Sequence, residues 1–258
     1  MRILLSNDDG IHAPGLASLV KALEGVGEVF VVAPLEEKST TGHSLTLAGP
    51  LRVKKFSERS WGVSGFPADC ILMAMGHFLK DHKPDLIISG INRGPNVGQD
   101  VYLSGTIAAA RQAVFHGIPA VAVSLFIKDF MHPKHETTTA NYDTAANYIR
   151  GLVEKEVHLH LPPMHLLNVN VPDLPENEIR GVKICGPDFS NYSEEILERP
   201  DPHGRKYFWI ASKFTGYDTK VGSDASALMD DHVAVSLLNL LPDPADMNKD
   251  LKRITGAR

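Results

Sequence analysis

The chain has 258 residues, a formal net charge of −5, 43% hydrophobic residues and 22% charged residues. That balance fits a globular domain with a full core, and it gives no support for a nucleic-acid surface, which needs a basic excess. Cys70 and Cys185 are the only cysteines, which excludes a disulfide framework or zinc knuckle and suits a reducing compartment.

Arg2 to Ser6 is an apolar run of strand length that ends in Asn7-Asp8-Asp9-Gly10. Arg2 with so short a run predicts neither a signal peptide nor a membrane span, so a cytoplasmic protein with no membrane partner is expected. Leu16, Leu19, Val20 and Leu23 fall at i, i+3, i+4 and i+7, which predicts an amphipathic helix from Gly15. Val29 to Ala33 is a second strand closed by Pro34, and Asp69 to Lys80 reads as a helix with Leu72, Met75 and Leu79 on one face. Leu86 to Ile88 is a third strand, Gly105 to His116 a small-residue helix, and Ala120 to Leu125 a fourth strand. Tyr142 to Glu154 is helical again, and Leu166 to Val171 is strand-like. Continuously apolar strands separated by helix-length segments predict a mainly parallel sheet covered on both faces. The expected fold is a doubly wound, Rossmann-like α/β domain over residues 1–185.

Beyond Gly186 the rhythm changes. "GPDFSNYSEEILERPDPHGRK" is polar and Pro-rich, "YFWIA" and "HVAVSLLNL" are strand-like, and Pro242 precedes a short polar helix. Residues 186–258 are expected to form a C-terminal β-hairpin extension or arm. Its expected use is oligomerisation, to a homodimer or homotetramer, and it is not an independent domain.

In an open parallel sheet, ligands bind outside the carboxyl ends of the strands. Asp8 and Asp9 follow the first strand, "LEEKSTTGHS" with Ser39 and His43 follows the second, and "SGINRGPNVGQD" with Asn92 and Asn96 follows the third. Ser104-Gly105-Thr106 opens the small-residue helix. Two adjacent carboxylates repel, and a divalent cation reverses that cost. Oxygen donors from Asp, Asn and Ser suit Mg²⁺, Mn²⁺ or Ca²⁺. A Ser-Gly-Thr helix start offers backbone N–H groups to an anion. Hard metal and anion seat together point to phosphate chemistry.

Each element alone has an ordinary structural explanation. Asn-Asp-Asp-Gly is a good turn, Ser-Gly-Thr a good N-cap, and Gly-rich loops usually just connect. Their shared position at one sheet edge favours a site. The histidines are scattered: His77, His82 and His116 sit near helix ends, His132 and His135 in a polar loop. His43 alone shares a loop with a candidate ligand.

These segments, with "AP" before Ser39, "GHSLTL", "SGINRGPNVGQDVYLSGTIAAA" and "LLNVNVPDLP", resemble the SurE survival-protein nucleotidases. The match runs from residue 1 to about 175, with an echo at Gly222-Ser223-Asp224 and "HVAVSLL". The resemblance implies a metal-dependent phosphatase acting on nucleoside 5′-monophosphates, and possible action on 3′-monophosphates, with one divalent cation per subunit. Carried onto this chain, the metal ligands are Asp8, Asp9, Ser39 and Asn92. The phosphate-contacting positions are Asn96, Ser104, Gly105 and Thr106, and His43 is an added substrate-side candidate. Asp8 or Asp9 is the expected catalytic carboxylate. Two departures stand out: Leu35-Glu36-Glu37-Lys38 is net acidic where many relatives carry Asp and arginines, and Gln112 stands where relatives often carry Glu.

Rival readings fail on particular residues. A phosphorelay receiver needs an Asp at the end of the third strand, where Ser89-Gly90-Ile91-Asn92 stands. A dinucleotide enzyme needs G-x-G-x-x-G in the first turn. A haloacid-dehalogenase-type phosphatase needs two Asp separated by one residue. A non-catalytic Mg²⁺-dependent nucleotide-binding module stays open as the alternative.

Overall fold

A computed structural model of the chain describes residues 1–128 and 140–241. His132, His135 and the polar helix expected after Pro242 lie outside the described residues. The predicted strands and helices of the first half are all found: β1 (Arg2–Ser6), α1 (Pro14–Leu23) and β2 (Glu28–Pro34) open the chain. A hairpin, β3 (Val53–Ser57) and β4 (Ser60–Val63), precedes α2 (Pro67–Met73). β5 (Leu86–Arg93), α3 (Gly105–Phe115), β6 (Ala120–Phe126), α4 (Tyr142–Glu154) and β7 (His165–Pro172) complete the repeating pattern.

The main sheet has nine strands in the order β3-β4-β2-β1-β5-β6-β7-β13-β8, where β8 is Val182–Ile184 and β13 is Val233–Asn239. β1 pairs in parallel with β2 on one side and β5 on the other. The chain thus winds outward in both directions from β1, and the crevice between β1 and β5 is the topological switch point.

Alternate residues of the central strands feed opposite cores, as the two-residue period of a strand requires. Ile3, Leu5, Leu86 and Ile88 pack with Leu16, Leu19 and Leu23 of α1 and with Ala145, Ile149 and Val153 of α4. Leu4 and Ile87 pack the other way, with Ile71 of α2 and Ile107, Ala110 and Ala113 of α3. Each such aliphatic side chain, fully removed from water, contributes roughly 1.5–3 kcal/mol of burial free energy. α1 starts with Pro14, whose fixed φ suits the first helical turn. α3 is short of large residues, and its Ala108, Ala109 and Ala110 are all fully buried, so the helix sits close to the sheet.

Two differences from the sequence expectation are local. The expected helix over 69–80 is α2 followed by a wider, π-type turn at Ala74–Phe78. In addition, "HVAVSLLNL" does not lie in an arm: β13 enters the main sheet, antiparallel to β7 and parallel to β8. Its buried Val233 and Ala234 explain why, since an apolar strand gains more by covering an open sheet edge than by projecting into water. The element outside the main sheet is the exposed hairpin of β10 (Ile196–Pro200) and β11 (Lys206–Ile210), a two-stranded sheet of its own among the described residues. A second small pair joins β9 (Ser190–Tyr192) to β12 (Phe214–Tyr217), and the short helix α5 (Asp224–Met229) follows.

Candidate functional site

The loops after β1, β2 and β5 and the start of α3 converge at the β1/β5 switch point. Ser6 and Ser89 are register partners there, so the residues that follow each strand rise side by side from the sheet edge. Asp8 is buried, at 4% exposure, and its Oδ1 accepts a hydrogen bond from Thr106 Oγ1 of α3. Its backbone oxygen accepts from Lys38 N at 2.7 Å, which ties the Ser39 loop to the end of β1. Asp9 Oδ2 accepts from Arg93 N at 3.0 Å, which ties the same turn to the end of β5.

Along β5 one residue is inserted: Ser89 pairs with Ala122 but Asn92 pairs with Ser124. Such a bulge bends the strand and re-aims the residues beyond it. Gly90 makes it possible, because its φ of +141° disfavours any side chain and a Cβ there would meet Val123 O at 2.3 Å. Asn92, just past the bulge, is fixed by donating from Nδ2 to Gly94 O at 2.8 Å. Its Oδ1 takes no part in that bond.

The head of α3 is built against Asp8. Ser104 is the N-cap, its Oγ accepting from Ile107 N at 3.1 Å. Gly105 is required by proximity, since a Cβ would lie 2.7 Å from Asp8 Cβ and 3.1 Å from Pro67 Cγ. Burial pushes the Asp8 carboxyl above its ordinary range, partly offset by the Thr106 hydroxyl and the Thr106 and Gly105 amides. Asp9 is pushed up to about 7, first by burial and then by the charge of Asp8. Without a cation this pair is electrostatically unfavourable.

The remaining candidates divide. Ser39 is exposed and donates to Glu37 Oε1 at 2.6 Å, so it belongs to the converging set through its loop. Asn96 is buried rather than free: its Nδ2 donates to Ser124 Oγ at 2.8 Å. His43 is bonded to none of these residues; its Nε2 lies 2.9 Å from Gln112 Oε1 and its ring stacks on Phe115. Thr106 donates its hydroxyl hydrogen to Asp8, and its amide and that of Gly105 also face this carboxylate.

Sequence reading missed the parts that hold the site. Asn170 Oδ1 accepts from Asn96 N at 2.8 Å, while Asn170 Nδ2 and Asn168 Nδ2 donate to Asn96 O at 3.0 and 2.9 Å. Two asparagines in an otherwise apolar strand, "LLNVNV", were the signal. Asn7, one residue before Asp8, is fully buried, and among the described residues its Oδ1 has no hydrogen-bond partner. Tyr142 faces the same charge, its phenol raised to about 12 by burial and then by Asp9.

Among the described residues, no three His, Cys, Asp or Glu side chains form a metal cluster. Carboxylate, hydroxyl and amide oxygens of the kind that Asp8, Asp9, Ser39 and Asn92 carry are donors suited to a hard cation. A cavity of about 240 Å³ lies elsewhere, walled by Val101, Tyr102, Pro187 and Leu238; none of the candidate residues lines it.

Among the described residues, no helix is long and apolar enough to cross a membrane. Comparison with known proteins gives one consistent answer. The family model described as Survival protein SurE matches residues 3–194. A 5′-nucleotidase SurE of Geotalea uraniireducens is 42% identical over 243 residues, covering 93% of each chain. A 5′-nucleotidase SurE of Heliobacterium modesticaldum is 45% identical, covering 88% of this chain and 82% of its own. The crystal structure of the SurE protein from Aquifex aeolicus superposes with a TM-score of 0.83 at 34% identity, covering 99% of this chain and all of its own. By sequence and by fold, the chain belongs to the SurE family.

Proposed function

We propose that this protein is a 5′-nucleotidase: a divalent-metal-dependent phosphomonoesterase that converts nucleoside 5′-monophosphates to nucleoside and phosphate. The family and its curated relatives support the nucleotidase reading. The observation that carries the chemistry is the convergence of Asp8 and Asp9 with the head of α3 at the switch point.

In this reading Asp8, Asp9, Ser39 and Asn92 hold one cation, Mg²⁺, Mn²⁺ or Ca²⁺ by the hardness of the donors. When bound, the cation neutralises charge at the phosphoryl group and lowers the pKa of a water. The Ser104 hydroxyl, at the head of α3, orients a phosphoryl oxygen as a preorganised donor, while the Gly105 and Thr106 amides beside it hold Asp8 in place. Asn96, clamped by Asn168 and Asn170, fixes the loop between β5 and α3. Water attacks phosphorus, the ester P–O bond breaks, and the leaving oxygen takes a proton. In this reading neither carboxylate is the nucleophile, because both would be taken up in holding the cation. An acid-quenched single turnover is expected to trap no phosphoenzyme.

The test is a panel of nucleoside monophosphates and simple phosphoesters with Mg²⁺, Mn²⁺ or Co²⁺. Phosphate release favouring the 5′-nucleotides is expected. Tight nucleotide binding without release would establish the non-catalytic module instead. We further expect a cytoplasmic homodimer or homotetramer. The β10–β11 hairpin carries Ile196, Tyr207, Phe208, Trp209 and Ile210 all exposed, with Ile210 at 84%, an apolar surface of the kind that marks an interface. Sedimentation should show Trp209→Asp shifting the protein toward monomer; an unchanged mass would remove the hairpin from the interface.

A further inference from the structure

The loop between β2 and β3 carries Ser39 and has no regular structure of its own. Its two ends are tied to the catalytic side of the sheet: Lys38 N donates to Asp8 O, and Thr46 donates through N and Oγ1 to Asp69. Between them the loop touches the helix α3 side. Gly42 N donates to Leu103 O at 2.9 Å, and His43 stacks on Phe115 with ring centroids 5.8 Å apart. His43 Nε2 meets Gln112 Oε1 at 2.9 Å, and Gln112 Nε2 in turn meets His116 Nε2 at 3.2 Å. A single side-chain amide therefore bridges two imidazoles, one on the loop and one at the end of α3.

An amide has one acceptor oxygen and one donor nitrogen. Whichever way it faces, it can accept from only one of the two imidazoles and must donate to the other. The ring that accepts has to be neutral at that nitrogen. With one imidazole charged, both bonds persist. With both charged, each ring nitrogen is a donor, one bond must break, and the amide is left with two donors facing it. Burial and then the charge of Lys83 hold His116 below its usual range. Among the described residues, neither ring lies in ion-pair contact with a carboxylate. Arg111, beside Gln112 on α3, is turned to Val101 O.

We propose that Gln112 is a positioning residue that clips the Ser39 loop to α3 through His43, and that the clip holds only while His43 or His116 is neutral. The inference rests on the functional reading above, in which Ser39 is a metal ligand. Acidification then loosens the loop that carries Ser39 independently of the proton uptake by Asp8 and Asp9. Replacement of the amide by a carboxylate removes the restriction, because a carboxylate accepts from both rings.

The experiment has two readouts. Ring-nitrogen NMR titration of His43 and His116 is recorded in the wild-type protein and in Gln112→Glu and Gln112→Leu, with Mn²⁺ affinity and kcat/KM measured from pH 5 to 8. In the wild type, one ring should stay neutral until well after the other has charged. In Gln112→Glu both rings should titrate upward, and the ratio of its kcat/KM to that of wild type should rise as pH falls. Gln112→Leu should weaken Mn²⁺ binding about fivefold at pH 8, as expected for one lost neutral hydrogen bond, and the deficit should shrink toward pH 5 as the wild-type clip opens, with melting nearly unchanged. Independent titration of the two rings, with Mn²⁺ affinity unaltered in both variants, overturns the clip. The NMR arm reads the clip even in a protein without turnover. A wild type that releases no phosphate would contradict the function, and coupled rings would still support the bridge.

Discussion

Thr106 Oγ1 donates to Asp8 Oδ1, a hydrogen bond between residues 98 positions apart in sequence that fastens the head of α3 to the end of β1. It fixes one of the two carboxylates against the first turn of the helix. Replacing Thr106 by Val keeps the shape and removes the donor, leaving a buried carboxylate oxygen without its partner. The expected stability cost is roughly 1–3 kcal/mol, with a fall in kcat/KM of about tenfold or more, while Thr106→Ser retains most activity. Thermal melting and steady-state kinetics on the two variants check this. Equal damage from Ser and Val would mean that the methyl, and not the hydroxyl, matters.

Gly105 faces Asp8 with no room for a methyl group, since the added Cβ would sit 2.7 Å from Asp8 Cβ and 3.0 Å from Asp8 Oδ2. Alanine is otherwise the better helix former, so backbone propensity does not explain any loss. Gly105→Ala is expected to displace the carboxylate at a strain cost of roughly 1–3 kcal/mol, and to reduce Mn²⁺ affinity and turnover together. Isothermal titration with Mn²⁺ reads the effect; an unchanged affinity would show that the Asp8 position is not critical.

The charge of the site has a definite sign in a pH experiment. Asp9 has its folded pKa raised from 3.8 to about 7, by burial and then by Asp8. A raised carboxyl pKa means that the folded state holds the proton more tightly than the unfolded state. Its contribution is therefore fully present below pH 3.8 and is lost progressively as pH rises to about 7. The metal-free protein is expected to lose stability across that window, and Asp9→Asn to flatten the loss. Added Mg²⁺ or Mn²⁺ should raise the melting temperature more at pH 8 than at pH 5, because the cation binds the charged form. Equal metal-induced shifts at both pH values would argue against Asp9 as a ligand.

The parallel sheet was legible because β1, β2, β6 and the first half of β5 are continuous apolar runs, and burial on both faces demands that pattern. Position at the sheet edge was legible for the same reason, since strand ends locate loops. Other features left no periodic trace. The β3–β4 hairpin escaped because every residue of Val53–Ser57 is exposed, so no apolar alternation marks it. The bulge at Gly90 depends on how two strands pair, which no single segment encodes. Asn168 and Asn170 were visible as polar interruptions in β7, but their partner, the backbone of Asn96, lies more than seventy positions away. The destination of β13 turned on which sheet edge stood open, a tertiary matter that its own apolar run does not record.

The most direct measurement is phosphate release from AMP by EDTA-treated protein, repeated after Mg²⁺ or Mn²⁺ is restored, alongside Asp9→Asn in the same buffers. Activity should vanish on chelation, return with either ion, and stay absent in the folded Asp9→Asn variant. Undiminished hydrolysis in EDTA, or by Asp9→Asn, would contradict the assignment of a cation-held phosphoryl site to the β1/β5 crevice.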